Sequence, residues 1–285
     1  MSMQEEEFSD STRMVVVVLA VVFGLFTAII GTLITQFNLN AMLETIIPLI
    51  PSDPHLKTAP FFISVFVNIL RAISVVAGIT LVIIAYPLWK GESWPYPIAV
   101  SCISLPTIFS VIVTLPYIVH VGFPPPSAII LIVGLVTFWV FLWLKKGDQL
   151  EKIARLVVFT LMGVTAGQIN VLVMHGAKAI FETEFNITDP SIIDPKNAIF
   201  GLGSPMNFIA FTMLLIAIPL LIARKKSGWY LGLIAGTTVV FINIPTQIIR
   251  WQVSGDFSFI AAGVFGLLLV ISLLLPVFRK RLIGT

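Results

Sequence analysis

The segment from Ala59 to Trp89, APFFISVFVNILRAISVVAGITLVIIAYPLW, decides the fold of this chain. It is apolar almost throughout, and Arg71 is its only charged residue. A helix crosses the hydrocarbon core of a bilayer with about 20 such residues, whereas a transmembrane β-strand alternates over about 10 residues. The segment therefore predicts a transmembrane helix that is longer than the core it crosses.

Seven other runs of the chain share this apolar character. Hydrophobic residues make up 58% of the sequence, charged residues make up 11%, and the mean hydropathy is +1.03. A soluble domain carries roughly twice as much charge. The pattern predicts an all-α, polytopic integral membrane protein with eight transmembrane helices. The predicted spans are Met14–Gln36, Ala59–Trp89, Trp94–His120, Ser127–Leu144, Ile153–His175, Phe200–Ala223, Trp229–Arg250 and Phe259–Phe278.

The charged residues between these runs indicate the orientation in the membrane. Every second connection is basic, and positively charged loops stay on the cytoplasmic side. We therefore expect both termini to be cytoplasmic, in a multi-pass protein of the cell (plasma) membrane. The net charge of +3 follows this topology and does not indicate a nucleic-acid partner. The segment before the first span is acidic, so we do not expect that span to be a cleaved signal peptide.

The order of loops and charges repeats along the chain and predicts an internal duplication. Asn68 matches Asn207 at an offset of 139 residues, and the same offset pairs Gly24 with Gly163. We expect two four-helix membrane repeats, residues 1–148 and 149–285, inserted with the same orientation because each has an even number of spans. A parallel duplication of this kind predicts a pseudo-two-fold axis along the membrane normal.

The few polar residues inside the predicted spans all map to the outward-facing half of the bilayer. The inward-facing halves are almost uniformly aliphatic. We therefore expect a polar pocket that opens to the outside rather than a polar path across the membrane. The polar set comprises Asn68, Arg71, Gln168, Asn170, Asn207, Asn243, Gln247 and Arg250.

Six members of this set are candidate ligand-binding residues, namely Asn68, Arg71, Asn170, Asn207, Asn243 and Gln247. Every carboxylate lies outside the predicted spans, so the candidate partners of Arg71 are backbone carbonyls, Asn or Gln side chains, a lipid phosphate, an anionic ligand, or an acid of another subunit. The alternatives are that Arg71 snorkels to the outer interface and that the asparagines form structural interhelical bonds. Arg250 ends its span, as an interfacial anchor does.

Histidines are the candidates for a metal or haem site. Imidazole ligates haem iron, copper or zinc, and His120 and His175 end two spans at similar depth. No pair has the i,i+4 spacing or the neighbouring carboxylate of a helix-borne metal motif, so interfacial histidines are the ordinary interpretation. The cofactor, if there is one, stays unknown. The single cysteine, Cys102, excludes an internal disulfide.

No motif in the sequence identifies a catalysed reaction, and three functions are consistent with it. The first is a non-catalytic accessory or scaffold subunit of a larger membrane complex, whose outward pocket contacts a lipid headgroup, a ligand or a partner. Its partners would be membrane lipids and other membrane subunits. The second is a small-molecule transporter that works between the duplicated halves, and the third is a haem- or lipid-dependent membrane enzyme. We favour the first and expect no catalytic residue. The segment Gly201–Pro205 is expected to be locally unwound, which would support the outer pocket.

Overall fold

The computed structural model describes residues 8–53, 56–181, 195–251 and 257–283, and all regular structure in them is helical. Side chains of residues 10, 175–201 and 250 are not described. The elements are α1 (Asp10–Leu25), a π-helical turn (Phe26–Gly31), α2 (Thr32–Ile46), a 3₁₀ turn (Ile47–Leu49), α3 (Ala59–Trp89), α4 (Pro95–His120), α5 (Ala128–Leu144), α6 (Gln149–Phe181), α7 (Pro195–Ile222), α8 (Lys226–Trp251), α9 (Ser258–Leu274) and α10 (Pro276–Ile283).

Six helices in the described ranges are long and apolar enough to cross a membrane, and a seventh crossing results if α9 and α10 count as one bent span. The helix α5 is apolar but has only 17 residues. A multi-pass, all-helical membrane protein is therefore the class that the fold supports. Many large apolar side chains point outward, among them Phe61, Ile83 and Phe241, which is typical of a surface that faces lipid. The count of eight spans stays a prediction.

The first helix is much longer than its predicted span. Residues Ser11–Leu49 form one nearly continuous helix of 39 residues, in which the π-helical turn joins α1 to α2. At 1.5 Å per residue this helix is about 58 Å long, nearly twice the hydrocarbon core. Its last part packs on α3 and α4 through a small apolar cluster at one end of the bundle. The cluster consists of Leu39, Met42, Ile46, Ala59, Ile63, Val67, Val113 and Tyr117.

Two local predictions about proline and glycine were wrong. The segment Gly201–Pro205 is helical within α7, because a single proline inside a membrane helix removes only one backbone bond. The predicted span Phe259–Phe278 is not continuous, because α9 ends at Leu274 and α10 leaves at an angle of 74°. The ring of Pro276 disfavours helical geometry at the residue before it, and Leu275 accordingly has ψ 120°.

Close packing follows chain order within each half. The helices α1, α3, α4 and α5 pack in sequence, and so do α6, α7, α8 and α9. In each half the first helix also contacts the last. The two halves meet where α4 packs on α6 and α7. This shared order is what a duplication would produce, but neither the duplication nor its axis follows from it, and both stay predictions.

Glycine allows the closest helix crossing in the first half. A Cβ built on Gly78 of α3 would lie 2.5 Å from the carbonyl oxygen of Gly24 in α1. Gly163, which matches Gly24 in sequence, has open packing by comparison, since its nearest neighbour would be Ile108 Cγ1 at 3.8 Å. Small residues substitute for a hydrophobic drive between membrane helices by letting backbones approach. The Gly24–Gly78 crossing uses this property, and so does the crossing of α8 and α9, where a Cβ built on Gly266 would lie 3.0 Å from the carbonyl oxygen of Gly236.

Candidate functional site

Arg71 is held by two neutral amide side chains. It lies on the fourth turn of α3, where its Nη2 donates to Asn68 Oδ1 at 2.6 Å and its Nη1 donates to Gln36 Oε1 of α2. Gln36 in turn donates through Nε2 to Asn40 Oδ1 at 2.8 Å. These four side chains, Asn40, Gln36, Arg71 and Asn68, are called the outer polar chain below. Its only formal charge is the guanidinium.

Arg71 also lines a narrow recess between the first helix and α3, α4 and α5. The recess has room for about one or two water molecules, with a free volume of about 20 Å³. The π-helical turn borders it, and turns of this kind occur frequently at functional sites. Its lining is Thr27, Gly31, Thr32, Thr35, Leu70, Arg71, Ser74, Pro106, Phe109, Ser110, Val113, Ser127 and Ile130.

The hydroxyl groups around this recess mostly donate to their own helices. Thr35 Oγ1 donates to the Gly31 carbonyl at 2.8 Å, and Ser74 Oγ donates to the Leu70 carbonyl at 2.8 Å. Ser110 bonds the Thr107 carbonyl in the same way, at 2.6 Å. A hydroxyl that has given its proton to a carbonyl offers only acceptor lone pairs to its other neighbours. Arg71 is therefore the strong hydrogen-bond donor of the recess.

Asn207 and Asn243 form a reciprocal amide pair between α7 and α8. Asn207 Nδ2 donates to Asn243 Oδ1 at 3.1 Å, and Asn243 Nδ2 donates back to Asn207 Oδ1 at 2.8 Å. Asn243 Nδ2 also reaches the Val239 carbonyl at 2.9 Å. The two residues are 1% and 0% exposed, so their polar atoms are used by each other rather than offered to a ligand. The matched residue Asn68 is exposed and supports Arg71 instead.

Gln247 and Gln168 join α8 and α6 to the beginning of α9. Gln247 is buried, and its Oε1 accepts the backbone N–H of Ile260 at 3.0 Å. Gln168 Nε2 donates to the Ser258 carbonyl at 3.3 Å. The first N–H groups of a helix lack intrahelical partners, so Gln247 satisfies a donor that α9 leaves open. The polar residues of the second half thus form hydrogen bonds between helices. Arg71 and Asn68 belong to the other half of the chain.

The other candidates lie apart from the outer polar chain. Asn170 is buried on α6, and His120 lies half-buried in the last turn of α4. The side chains of His175 and Arg250 lie outside the described residues. The described part of the chain contains no group of three or more His, Cys, Asp or Glu residues that could hold a metal ion. The six candidates therefore do not line one pocket.

Sequence reasoning missed three polar residues of α2. Gln36 ended the predicted span and was not counted among its polar residues, and the segment beyond it was read as a loop. Gln36 and Asn40 extend the outer polar chain. Asn38, which lies between them in the sequence, is fully buried. Neither amide atom of Asn38 has a hydrogen-bond partner in the described part of the protein. A signal was present, since Leu39, Met42 and Ile46 recur at helical spacing and are all buried.

An ionic cluster at the opposite end of the bundle was also missed. Glu151 of α6 accepts from Arg224 Nη2 at 2.5 Å and lies 3.7 Å from Arg155 Nη2. Asp148 pairs with Arg281 of α10. These residues, called the inner ionic cluster below, join the α5–α6 connection to the end of α7 and to α10. Their charges were read from the sequence as markers of topology alone.

The fold and these contacts define a class: an all-helical protein of the multi-pass membrane type, with an arginine recess at one end and an ionic cluster at the other. Membrane-crossing helices, the lipid-type surface and buried interhelical amide bonds all belong to this class. No known protein family, curated protein or solved structure matches this chain. Its function is therefore argued from the site alone.

Proposed function

We propose that the protein is a non-catalytic accessory or scaffold subunit of a larger membrane complex, in which Arg71 contacts an anionic group. That group belongs to a lipid headgroup, a ligand or a neighbouring subunit. The observation that carries the proposal is the set of partners around Arg71. Its acceptors are the neutral amide oxygens of Gln36 and Asn68, and no carboxylate pairs with it among the described residues. A guanidinium in a membrane gains most from an anionic acceptor.

The recess itself is too small for a ligand, since its free volume of about 20 Å³ holds only one or two waters. The anion would therefore meet Arg71 at the edge of the recess. The exposed face of Asn68 leaves the guanidinium reachable from outside the bundle. An anionic oxygen of a headgroup or a partner side chain would meet Arg71 at this edge without entering the helix packing.

The proposal includes the finer topology expected from the sequence. We place eight crossings in the cell membrane with both termini in the cytoplasm and with repeats at residues 1–148 and 149–285. The 17 residues of α5 are at the lower end of the range of about 17–25 for a spanning helix. The basic residues that follow α5, α7 and α9 favour a cytoplasmic position for those ends.

The test compares two variants purified from native membranes. Arg71→Gln removes the charge but keeps a polar side chain that can bond Gln36 and Asn68. Lys57→Gln is the matched control, because Lys57 is an exposed cation just before α3. Retained subunits and phospholipids are measured by quantitative mass spectrometry. We expect Arg71→Gln to lose the bound partner or lipid about tenfold, which corresponds to one charge-assisted hydrogen bond.

Equal retention by the wild type, Arg71→Gln and Lys57→Gln would overturn the proposal. If both variants lose the bound species equally, general surface charge rather than the recess is responsible, and the proposal also fails. The lost species identifies the source of the anion, because a subunit and a phospholipid are counted separately in the same measurement.

Transport between the halves receives less support from the packing. The interface of α4 with α7 includes a ring contact between Phe109 and Phe211, whose centroids are 6.4 Å apart, and both residues are buried. Ile108 and Ile112 of α4 are buried as well. A transporter needs a polar path at this interface in some state, and these side chains would have to separate to create one.

A further inference from the structure

Arg155 of the inner ionic cluster has a buried nitrogen without a partner. The residue is 5% exposed. Its Nη2 donates to the carbonyls of Lys145 and Lys146 at 3.3 and 3.1 Å, and its Nε donates to the Glu151 carbonyl at 3.4 Å. Nη1 has no hydrogen-bond partner in the described part of the protein. An unmet charged donor is costly in a buried place, so this nitrogen requires an acceptor that the chain does not supply.

The backbone around Arg155 is shaped to hold its guanidinium. Gly147 has φ +155°, and a Cβ built on it would lie 2.5 Å from Arg155 Nη2. Only glycine therefore lets the α5–α6 connection wrap around this side chain. Lys145 and Lys146 follow the end of α5 at Leu144, so Arg155 places its positive charge just beyond the helix C-terminus, where the helix dipole is negative.

Arg224 occupies a backbone position at which glycine is normally more stable than other residues. It has φ +55°, and the bonds Arg224 N to Leu221 O (2.9 Å) and Lys225 N to Leu220 O (2.8 Å) form the closing pattern of α7. Glycine is the usual residue at this position, because a left-handed backbone is strained for any residue that carries a Cβ. Backbone strain is common at functional sites, and the strained Arg224 carries a side chain that reaches Glu151 beside Arg155.

These side chains surround a recess at the inner end of the bundle. Its lining includes four cations, Lys145, Arg155, Arg224 and Arg281, and one carboxylate, Glu151. Free space next to them amounts to about 10 Å³, close to the room that one water needs, so a phosphate group reaches Arg155 only after the exposed side chains of Arg224 and Arg281 move outward. The side chains of Arg224 and Arg281 are 52% and 39% exposed, so the mouth of the recess is formed by solvent-accessible cations.

We infer that this recess binds a phosphate group. Arg155 Nη1 is the fixed donor at the bottom, and Arg224 and Arg281 are the donors at the mouth. Guanidinium groups suit phosphate because their planar N–H pairs match its oxygens, and several of them share its charge. When no anion is bound, the carboxylate of Glu151 separates the cations from one another. The phosphate belongs either to an anionic lipid headgroup or to a soluble phosphate compound, and the inference does not depend on Arg71.

The experiment uses the full chain and two binding arms. In the first arm, inorganic phosphate is titrated into delipidated protein in neutral detergent and followed by calorimetry. In the second arm, protein in phosphatidylcholine nanodiscs is compared with protein in nanodiscs that also contain phosphatidic acid, by thermal midpoint. The variants are Arg224→Gln and Arg281→Gln, which leave the buried Arg155 in place. The matched controls are Lys225→Gln and Lys280→Gln, exposed neighbours in the same segments that do not line the recess.

We expect binding in at least one arm, about tenfold weaker in Arg224→Gln and in Arg281→Gln and changed less than about twofold in the controls. Binding in the first arm assigns a soluble phosphate compound, and binding in the second arm alone assigns a lipid headgroup. The inference is overturned if neither arm shows binding, since the unpaired nitrogen then meets only a buried water. Equal weakening by controls and recess variants would also overturn it.

Discussion

The amide pair of Asn207 and Asn243 allows a quantitative test of how much hydrogen bonds between helices stabilise the second half. Replacing either residue by leucine keeps the branching and the number of side-chain heavy atoms but removes both reciprocal bonds, which measure 3.1 and 2.8 Å. The remaining asparagine is then buried without its main partner. In Asn207→Leu, Asn243 keeps only its bond to the Val239 carbonyl. The two changes together leave no orphaned amide at this position.

The magnitude follows from these bonds. Interhelical hydrogen bonds in membranes contribute about 0.6 kcal/mol on average and up to about 1.7 kcal/mol. Two lost bonds plus an unsatisfied buried amide should therefore lower the free energy of unfolding by about 1–3 kcal/mol in each single variant. The double variant should lose less free energy of unfolding than the sum of the two single losses, and the difference, the coupling energy, should be at least about 1 kcal/mol.

The assay is equilibrium unfolding in mixed micelles with increasing dodecyl sulfate, followed by circular dichroism. Thr212→Val is the control on the same helix, since Thr212 is exposed and its hydroxyl bonds only the Phe208 carbonyl of α7. It should change the free energy of unfolding by less than about 0.5 kcal/mol. If the two leucine effects simply add to within about 0.3–0.5 kcal/mol, the residues do not form the pair and the reasoning is refuted.

Two further substitutions, each with a control, test packing around the first helix. Gly78→Ala should lower the free energy of unfolding by about 1–3 kcal/mol, because the new Cβ would lie 2.5 Å from the Gly24 carbonyl oxygen. Its control in the second half, Gly163→Ala, with 3.8 Å to its nearest neighbour, should be neutral or stabilising by up to about 1 kcal/mol, and equal losses in both would contradict the crossing. Asn38→Leu should raise the free energy of unfolding by about 1–3 kcal/mol, since both amide atoms of Asn38 are buried without a partner among the described residues. Asn40→Leu, which breaks the 2.8 Å bond from Gln36, should not raise it, and a loss of stability in Asn38→Leu would mean that Asn38 does have a partner.

The membrane class was predictable because the length of an apolar run is a direct measure of what a helix can cross. Bonding partners were not, because they depend on how each helix is rotated against its neighbours. Asn207 and Asn243 were both recognised as intramembrane polar residues, yet nothing in the sequence paired them with each other. The partner type of Arg71 was among those expected, but Gln36, the last residue of its predicted span, was not counted among the intramembrane polar residues.

The inner ionic cluster shows a different reason for failure. The basic residues were fully explained by the rule that places positive loops in the cytoplasm, so no further role was sought for them. Glu151 lies at the beginning of α6 and received no weight, although it joins Arg155 to Arg224. The bend at Pro276 was not predicted, because the apolar run before the proline was continued to Phe278 as one span.

The π-helical turn Phe26–Gly31 lets the first helix hold one residue more than an α-helix whose faces point the same way. Each residue of an α-helix advances its face by about 100°, and a π turn accommodates one extra residue within the helix, so the helix beyond it keeps its rotation. A single-residue deletion inside the turn would restore ordinary α geometry and leave Gln36 facing Arg71. A deletion between Gly31 and Gln36 would instead rotate Gln36 away. Among related chains, a one-residue gap in this helix should therefore fall within Phe26–Gly31.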